Sequence, residues 1–366
     1  MDTTDLERRL VALTRDLVVI PSAATYPDDL ERCVAMVRNH IEYLGHVEVR
    51  EYRSEGVPSL LALPPDNTRP DVLLCAHLDV IAHERQAYRT IVQDGRIYGP
   101  GTGDMKGQLA VLMELFRAFH ADSSNPSLGL CVTADEEAGG DHGVRYLFEQ
   151  SGLRCGVCIV PDGGGCDTLV VEEKGLLHME LACHGRAAHA ARPWLGDNAL
   201  DRMVDATVAL RQRFELLAEG KDHWHPTCTV TIVGTPNLAS NRVPAAAHAT
   251  VDIRFPAPCT VDEIMTLVRQ TLPPEIQITL HLIAEPTRMS PDPAFADAAK
   301  TVTGRTYAHS RENGGSDARF ICKHDIPVIM TRPQVGNLHA ADEWIDIQSM
   351  LEFYHICETY LKARLG

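Results

Sequence analysis

The sequence predicts an α/β fold: a mostly parallel sheet sandwiched by helices, with an α+β domain of four strands and two helices inserted into it. Three observations carry that prediction. Before about residue 176, short and wholly apolar runs alternate with helical periodicities, the pattern of a parallel sheet covered on both faces. After it, strands alternate apolar and polar residues, as half-exposed strands do. Near the C-terminus the first pattern returns. The chain has 366 residues, long for one compact domain and suggestive of two.

The elements follow in order. "TDLERRLVALTRDL", "DLERCVAMVRNHIEYLG" and "MKGQLAVLMELFRAFH" repeat apolar residues at helical spacing. Between and after them, "SLLALP", "DVLLCAHLD", "LGLCVTADEE" and "GVCIVPDGGG" read as buried strands. "GLLHMELACHGR" then alternates, and "NALDRMVDATVALRQRFELLAEG" is a long amphipathic helix. "TCTVTIVGT", "AAHATVDIRF", "TVDEIMTLVRQTL" and "QITLHLIAEP" read strand, strand, helix, strand. A further helix, the strand "DIPVIMTRPQ" and a last helix from about Ile347 complete the chain. The expected division is 1–176 and 287–366 for a discontinuous catalytic domain, with 177–286 as the insertion.

Hydrophobic residues make up 45% and charged residues 23% of a chain of formal net charge -16. Such an acidic balance argues against nucleic acid or an anionic membrane as partner. No apolar run reaches the ~20 residues that span a bilayer. "MDTTDLERRL" lacks a basic and an apolar segment of the secretory kind. Eleven scattered cysteines, an odd count, lie largely in apolar runs and suggest core packing in the reducing cytoplasm.

Ligand-type residues recur where apolar strands end. "VLLCA" runs into His77 and Asp79, "LGLCVTA" into Asp135, Glu136 and Glu137, and "GVCIVP" into Asp162. "IPVIMTRPQVGNL" runs through a short loop into His339, and Asp104 closes the glycine-rich "YGPGTGD" before a helix. In open α/β sheets ligands bind beyond the carboxyl ends of the strands, so these side chains should converge. Each place alone is ordinary for a polar residue at an element's end; five together are not. Imidazoles with carboxylates and no thiolate suit Zn²⁺, Mn²⁺ or Co²⁺ in an open site. Two divalent cations would relieve the repulsion among so many acids.

With these residues the sequence resembles the co-catalytic zinc metallohydrolases that include aminoacylase, acetylornithine deacetylase, succinyl-diaminopimelate desuccinylase and glutamate carboxypeptidase. The matching stretches are "AHLDV", "GPGTGDMKG", "TADEEAGG", "VPDGGG", "HGRAAHAARPWLGDNAL", "NRVPAAAHATVDIRF", "GGSDARF" and "NLHAADEW". They span nearly the whole chain in the family's order. Pro100 and Thr102 depart from it, in a loop that often carries an arginine.

The resemblance implies a zinc-peptidase-like catalytic domain that hydrolyses amide bonds with two divalent metal ions per chain, zinc or else cobalt or manganese. His77 and Asp162 would bind one ion, Glu137 and His339 the other, and Asp104 both. Glu136 would be the general base, with a cis peptide at Asp104–Met105. Asp79, two residues past His77 and so on the same side of the strand, would orient that imidazole. Glu136 and Glu137, neighbours on an extended segment, would point apart, one to substrate and one to metal. The insertion would be a lid through which a homodimer forms, with His189 serving as oxyanion donor in the partner's site. Asn241, Arg254 and the turn Gly314, Gly315, Ser316 would hold the substrate. The implied substrate is a small N-acyl amino acid; a dipeptidase or carboxypeptidase would use the same site. A non-catalytic metal-binding protein would have lost the base or a ligand, and none is missing.

Overall fold

A computed structural model of the chain describes residues 3–42, 44, 47–121, 125–218, 220 and 222–366. The last residues of the second predicted helix, Tyr43 and Gly45, and Glu219 at the end of the long one lie outside these. The chain divides into two compact units. The first comprises Met1–Val171, Arg288–Arg311 and Ser316–Gly366; the second comprises Glu172–Thr287 and Glu312–Gly315. The boundaries fall after Val171 and Thr287, and four residues near 314 join the second unit.

The first unit is built on a six-stranded sheet in the order Glu48–Ser54, Val57–Leu63, Leu128–Thr133, Val72–His77, Val157–Ile159, Val328–Ile329. The last four are parallel, and the first two form an antiparallel edge. Side chains alternate across it with period two. Leu74, Ala76, Leu130 and Val132 face a core shared with helices Thr3–Val18, Pro27–Glu42, Gly107–Phe119, Pro293–Thr303 and Ile347–Leu365. Leu73, Cys75, Cys131 and Cys158 face another, with Val144, Leu147, Phe148, Phe320 and Ile321. Both faces are therefore dry, which is why these strands lack any polar alternation.

Local signals set the helices. Leu6, Leu10, Leu13 and Leu17 place one buried stripe on the first. Asp292 caps the helix that opens on Pro293, and Asp346 caps the last one by accepting the Ser349 N–H.

The same unit holds a small antiparallel sheet in the order Val335–Gly336, Trp344–Asp346, Arg96–Tyr98, Ile91–Gln93. It corrects one reading. The expected strand "DIPVIMTRPQ" is cut short: only Val328–Ile329 joins the large sheet, and the loop from it to His339 passes through Val335–Gly336 of the small one.

The second unit is an antiparallel sheet in the order Thr227–Gly234, Ala246–Phe255, Gly175–His184, Gln277–Ala284. Helices Ala199–Glu215 and Val261–Thr271 share a core with it through Leu177, Met179, Leu181, Met203, Leu210, Ile264 and Val268. Asn198 caps the first helix; Thr260 and Glu263 form a reciprocal capping box on the second. No helix among the described residues is long and apolar enough to cross a membrane.

Candidate active site

His77 ends its buried strand, and the parallel neighbours carry Asp135–Glu137 and Asp162 to the same edge. Asp104 reaches it from the turn after Arg96–Tyr98, and His339 from the turn before Trp344–Asp346, strands paired with each other in the small sheet. Two groups of ligand-type atoms result, His77 with Asp104 and Asp162, and Asp104 with Glu137 and His339. Within each group the atoms lie within 4.8 Å of one another. Asp104 belongs to both. Its Oδ1 is 3.1 Å from His77 Nε2 and its Oδ2 is 3.2 Å from His339 Nε2. The Asp104–Met105 peptide is cis.

The surroundings orient these groups. His77 Nδ1–H donates to the main-chain oxygen of Asp79 at 3.0 Å, which aims Nε2 at Asp104 and Asp162. The Asp79 carboxylate, 3.5 Å from Nδ1, accepts the Glu136 and Glu137 N–H groups, at 3.3 and 3.0 Å. Asp79 therefore touches His77 chiefly through its backbone, and its side chain fixes the two glutamates. Residues Glu136–Ala138 form a tight 3₁₀ turn, not the extended segment read from the sequence, and Asp79 caps it. His83 and His142 stay outside both groups; His142 Nδ1 is 3.1 Å from Ser54 Oγ.

Sequence reasoning passed over Glu343. It is buried, and its carboxylate accepts the Gly103, Asp104 and His339 N–H groups. The local signal was an acid inside the quoted "NLHAADEW" stretch, with nothing in its spacing to set it apart.

The electrostatics of the group fit a cation. Burial, reinforced by Asp104 and Glu136, pushes the Glu137 carboxyl up to about 8. Burial and the same kind of crowding lift Asp162 well above the usual carboxylate range, and burial raises Glu136. Burial works against charge on His77, yet its bonds to Asp104 and Asp79 raise it. The bond to Asp104 carries His339 to about 9. Protons are thus called in where positive charge is short, and bound cations invert that logic. Glu137 Oε1 is buried with no hydrogen-bond partner. An oxygen so placed, beside imidazoles and carboxylates and no thiolate, suits Zn²⁺, Co²⁺ or Mn²⁺.

The other predicted site residues are divided between the two units. His189, Asn241 and Arg254 belong to the second unit. There the Ala190 N–H donates to the Asn241 carbonyl at 2.8 Å, which brings the segments of His189 and Asn241 together. His189 is exposed, and its Nδ1 accepts the Ala191 N–H, so Nε2 carries the proton. Arg254 is already engaged: its Nε and Nη2 donate to the two oxygens of Asp252 at 2.8 and 3.0 Å. Gly314 and Gly315 fall in the second unit and buried Ser316 in the first, where its Oγ accepts the Ala318 N–H.

Residues 73–363 match peptidase family M20/M25/M40. The succinyl-diaminopimelate desuccinylase of Rhodospirillum centenum is 30% identical over 380 residues, covering 96% of each chain. That of Parvibaculum lavamentivorans is 29% identical, covering 86% of each. The fold is similar to that of an M20 family metallo-carboxypeptidase from Sulfolobus solfataricus, at a TM-score of 0.79 and 18% identity, over 97% of this chain and 99% of that one. A di-peptidase from Saccharomyces cerevisiae also gives 0.79, at 13% identity, over 99% of this chain and 97% of that one. With a match across most of its length and a mixed-ligand cluster at the sheet's edge, the chain belongs to peptidase family M20/M25/M40 and is a metal-dependent hydrolase of amide bonds.

Proposed function

We propose that the chain hydrolyses the amide bond of a small N-acyl amino acid, with two divalent metal ions, by preference zinc, and Glu136 as general base. The carrying observation is the pair of ligand groups that share Asp104, with Glu136 beside Glu137 yet in neither group. His77 and Asp162 would hold one ion, Glu137 and His339 the other, and Asp104 both. Ions there would lower the pKa of a shared water and polarise the substrate carbonyl. Glu136 takes a proton from the attacking water onto a carboxylate oxygen and delivers it to the leaving amine. Burial raises the affinity of that oxygen for a proton, which suits both halves of the transfer. Asp79 keeps Glu136 and Glu137 in register through their N–H groups. Asn241, Arg254, Gly314, Gly315 and Ser316 would bind the substrate's carboxylate or amide.

A homodimer through the second unit belongs to the same reading. His189 would donate from Nε2–H to the developing oxyanion in the partner's site. Strand Thr227–Gly234 is a sheet edge, and Ile232 and Val233 on it are 55% and 51% exposed. An apolar, unpaired edge is a template for a second strand. The described cysteines are free thiols, in keeping with a cytoplasmic protein.

The relatives named as desuccinylases favour a deacylase over a peptidase. A product-detected screen of N-acetyl, N-succinyl and N-formyl amino acids against a dipeptide panel, with Zn²⁺, Co²⁺ or Mn²⁺ added, tests this. Turnover confined to dipeptides would replace the deacylase with a peptidase using the same site.

A further inference from the structure

We infer that Glu343 is a positioning residue that locks the Asp104 turn to the His339 turn, and so sets the geometry of the Asp104, Glu137 and His339 group in particular. The inference rests on the two-ion reading above. Glu343 is 2% exposed. One of its oxygens, Oε1, accepts the Gly103 N–H at 2.6 Å and the Asp104 N–H at 2.8 Å. The other, Oε2, accepts the His339 N–H at 3.1 Å. One carboxylate thus ties together two turns that lie 235 residues apart in the chain at Asp104 and His339.

Two further features show why this tie is needed. His339 has φ +63 and Asn337 has φ +54, a left-handed backbone that L-residues seldom adopt and that neighbouring contacts must hold. The Asp104 turn also runs close to the same strands: a Cβ on Gly103 would lie 2.9 Å from Val335 Cβ and 3.1 Å from the Trp344 carbonyl oxygen. The exposed imidazole of His339 meets Asp104 Oδ2 at 3.2 Å through Nε2, and Glu343 holds its backbone. Its partner group, by contrast, starts from His77, buried at the end of a central strand and fixed by Asp79.

The acceptor has to be a carboxylate. Three N–H groups converge on two oxygens, and a carboxylate is an acceptor at both ends. In Glu343→Gln the amide oxygen keeps the Gly103 and Asp104 N–H groups, and the NH₂ then confronts the His339 N–H. That substitution should loosen His339 while sparing His77 and Asp162.

The test is Zn²⁺ titration of the metal-free protein against a competing chelator, for wild type, Glu343→Gln and His339→Ala. Wild type should show two binding steps. In Glu343→Gln one step should weaken ~10–100-fold, the usual scale for a residue that orients a metal ligand. It should be the step that His339→Ala removes, and the other should be unchanged. Equal weakening of both steps, or no weakening, overturns the role of Glu343 and leaves the two-ion reading standing. A single step in wild type overturns the two-ion reading itself, and with it the selectivity. Amide hydrogen exchange of metal-free wild type is a check that needs no variant. The Gly103, Asp104 and His339 N–H groups should be protected; exchange at the free rate at His339 would overturn the tie even if Glu343→Gln failed to fold.

Discussion

Glu136 and Glu137 are chain neighbours, both half-buried and both held at the main chain by Asp79, yet only Glu137 lies with Asp104 and His339. Glu136→Gln removes a proton acceptor and keeps shape and hydrogen-bonding volume. It should lower kcat ~10²–10⁴-fold, the span of general acid–base catalysis, with metal content and melting temperature as in wild type. Loss of a bound ion instead would make Glu136 a ligand. Arg254 poses a different question, because Asp252 already occupies its fork. If it also meets substrate, Arg254→Ala should raise KM for substrates with a free α-carboxylate ~10–100-fold, as loss of a charge-assisted bond implies. KM for the corresponding amides should hardly move. Equal changes for both forms would confine Arg254 to its partner on the strand.

Among the elements, the turn after strand Leu128–Thr133 is held by several specific contacts. Asp135 closes it: its main-chain oxygen accepts the Ala138 and Gly140 N–H groups, and its Oδ2 accepts those of His142 and Gly143. Gly140 has φ +66, and a Cβ there would lie 2.1 Å from Asp317 Oδ1. Gly140→Ala combines a left-handed backbone with that collision and should destabilise by about 1–3 kcal/mol. Denaturant unfolding of the metal-free protein reads this; an unchanged midpoint would mean that Asp317 gives way at no cost. The sequence identified this segment as acid-bearing but not as a turn. Its extended reading came from the apolar strand before it, whereas the bend is made by the Asp79 cap and the glycine, which leave no periodic trace.

For the molecule as a whole, the subunit origin of His189 can be tested by mixing. If His189 donates to the oxyanion across a dimer, as proposed, His189→Ala and Glu136→Gln should each be nearly inactive, since one such donor contributes roughly 2.7–4 kcal/mol. When the two are refolded together, about half of randomly paired dimers are hybrids, and one of the two sites in each hybrid has Glu136 from one chain and His189 from the other. About half of a half, a quarter of wild-type activity, should return. A mixture as inactive as its parents, with hybrids demonstrated, would place His189 in its own chain's site or in none.

What the sequence by itself determined was whatever repeats at short range. Apolar runs such as "DVLLCAH" and the 3.6-residue stripes of the helices are direct records of burial on two faces or one. The ligand-type residues at strand ends inherit their convergence from those strands being parallel. That His77, Asp104, Glu137, Asp162 and His339 would be brought together was legible from those strand ends only in combination with the family resemblance. The α+β character of residues 177–286 was legible too. Only the tertiary structure decided how Asp104 and His339 arrive. The strands Arg96–Tyr98 and Trp344–Asp346 are three residues each, too short for a period to show. Their pairing, and the hold of Glu343 on the Asp104 turn across 239 positions, are choices that chain closure and packing make, and no local pattern encodes them.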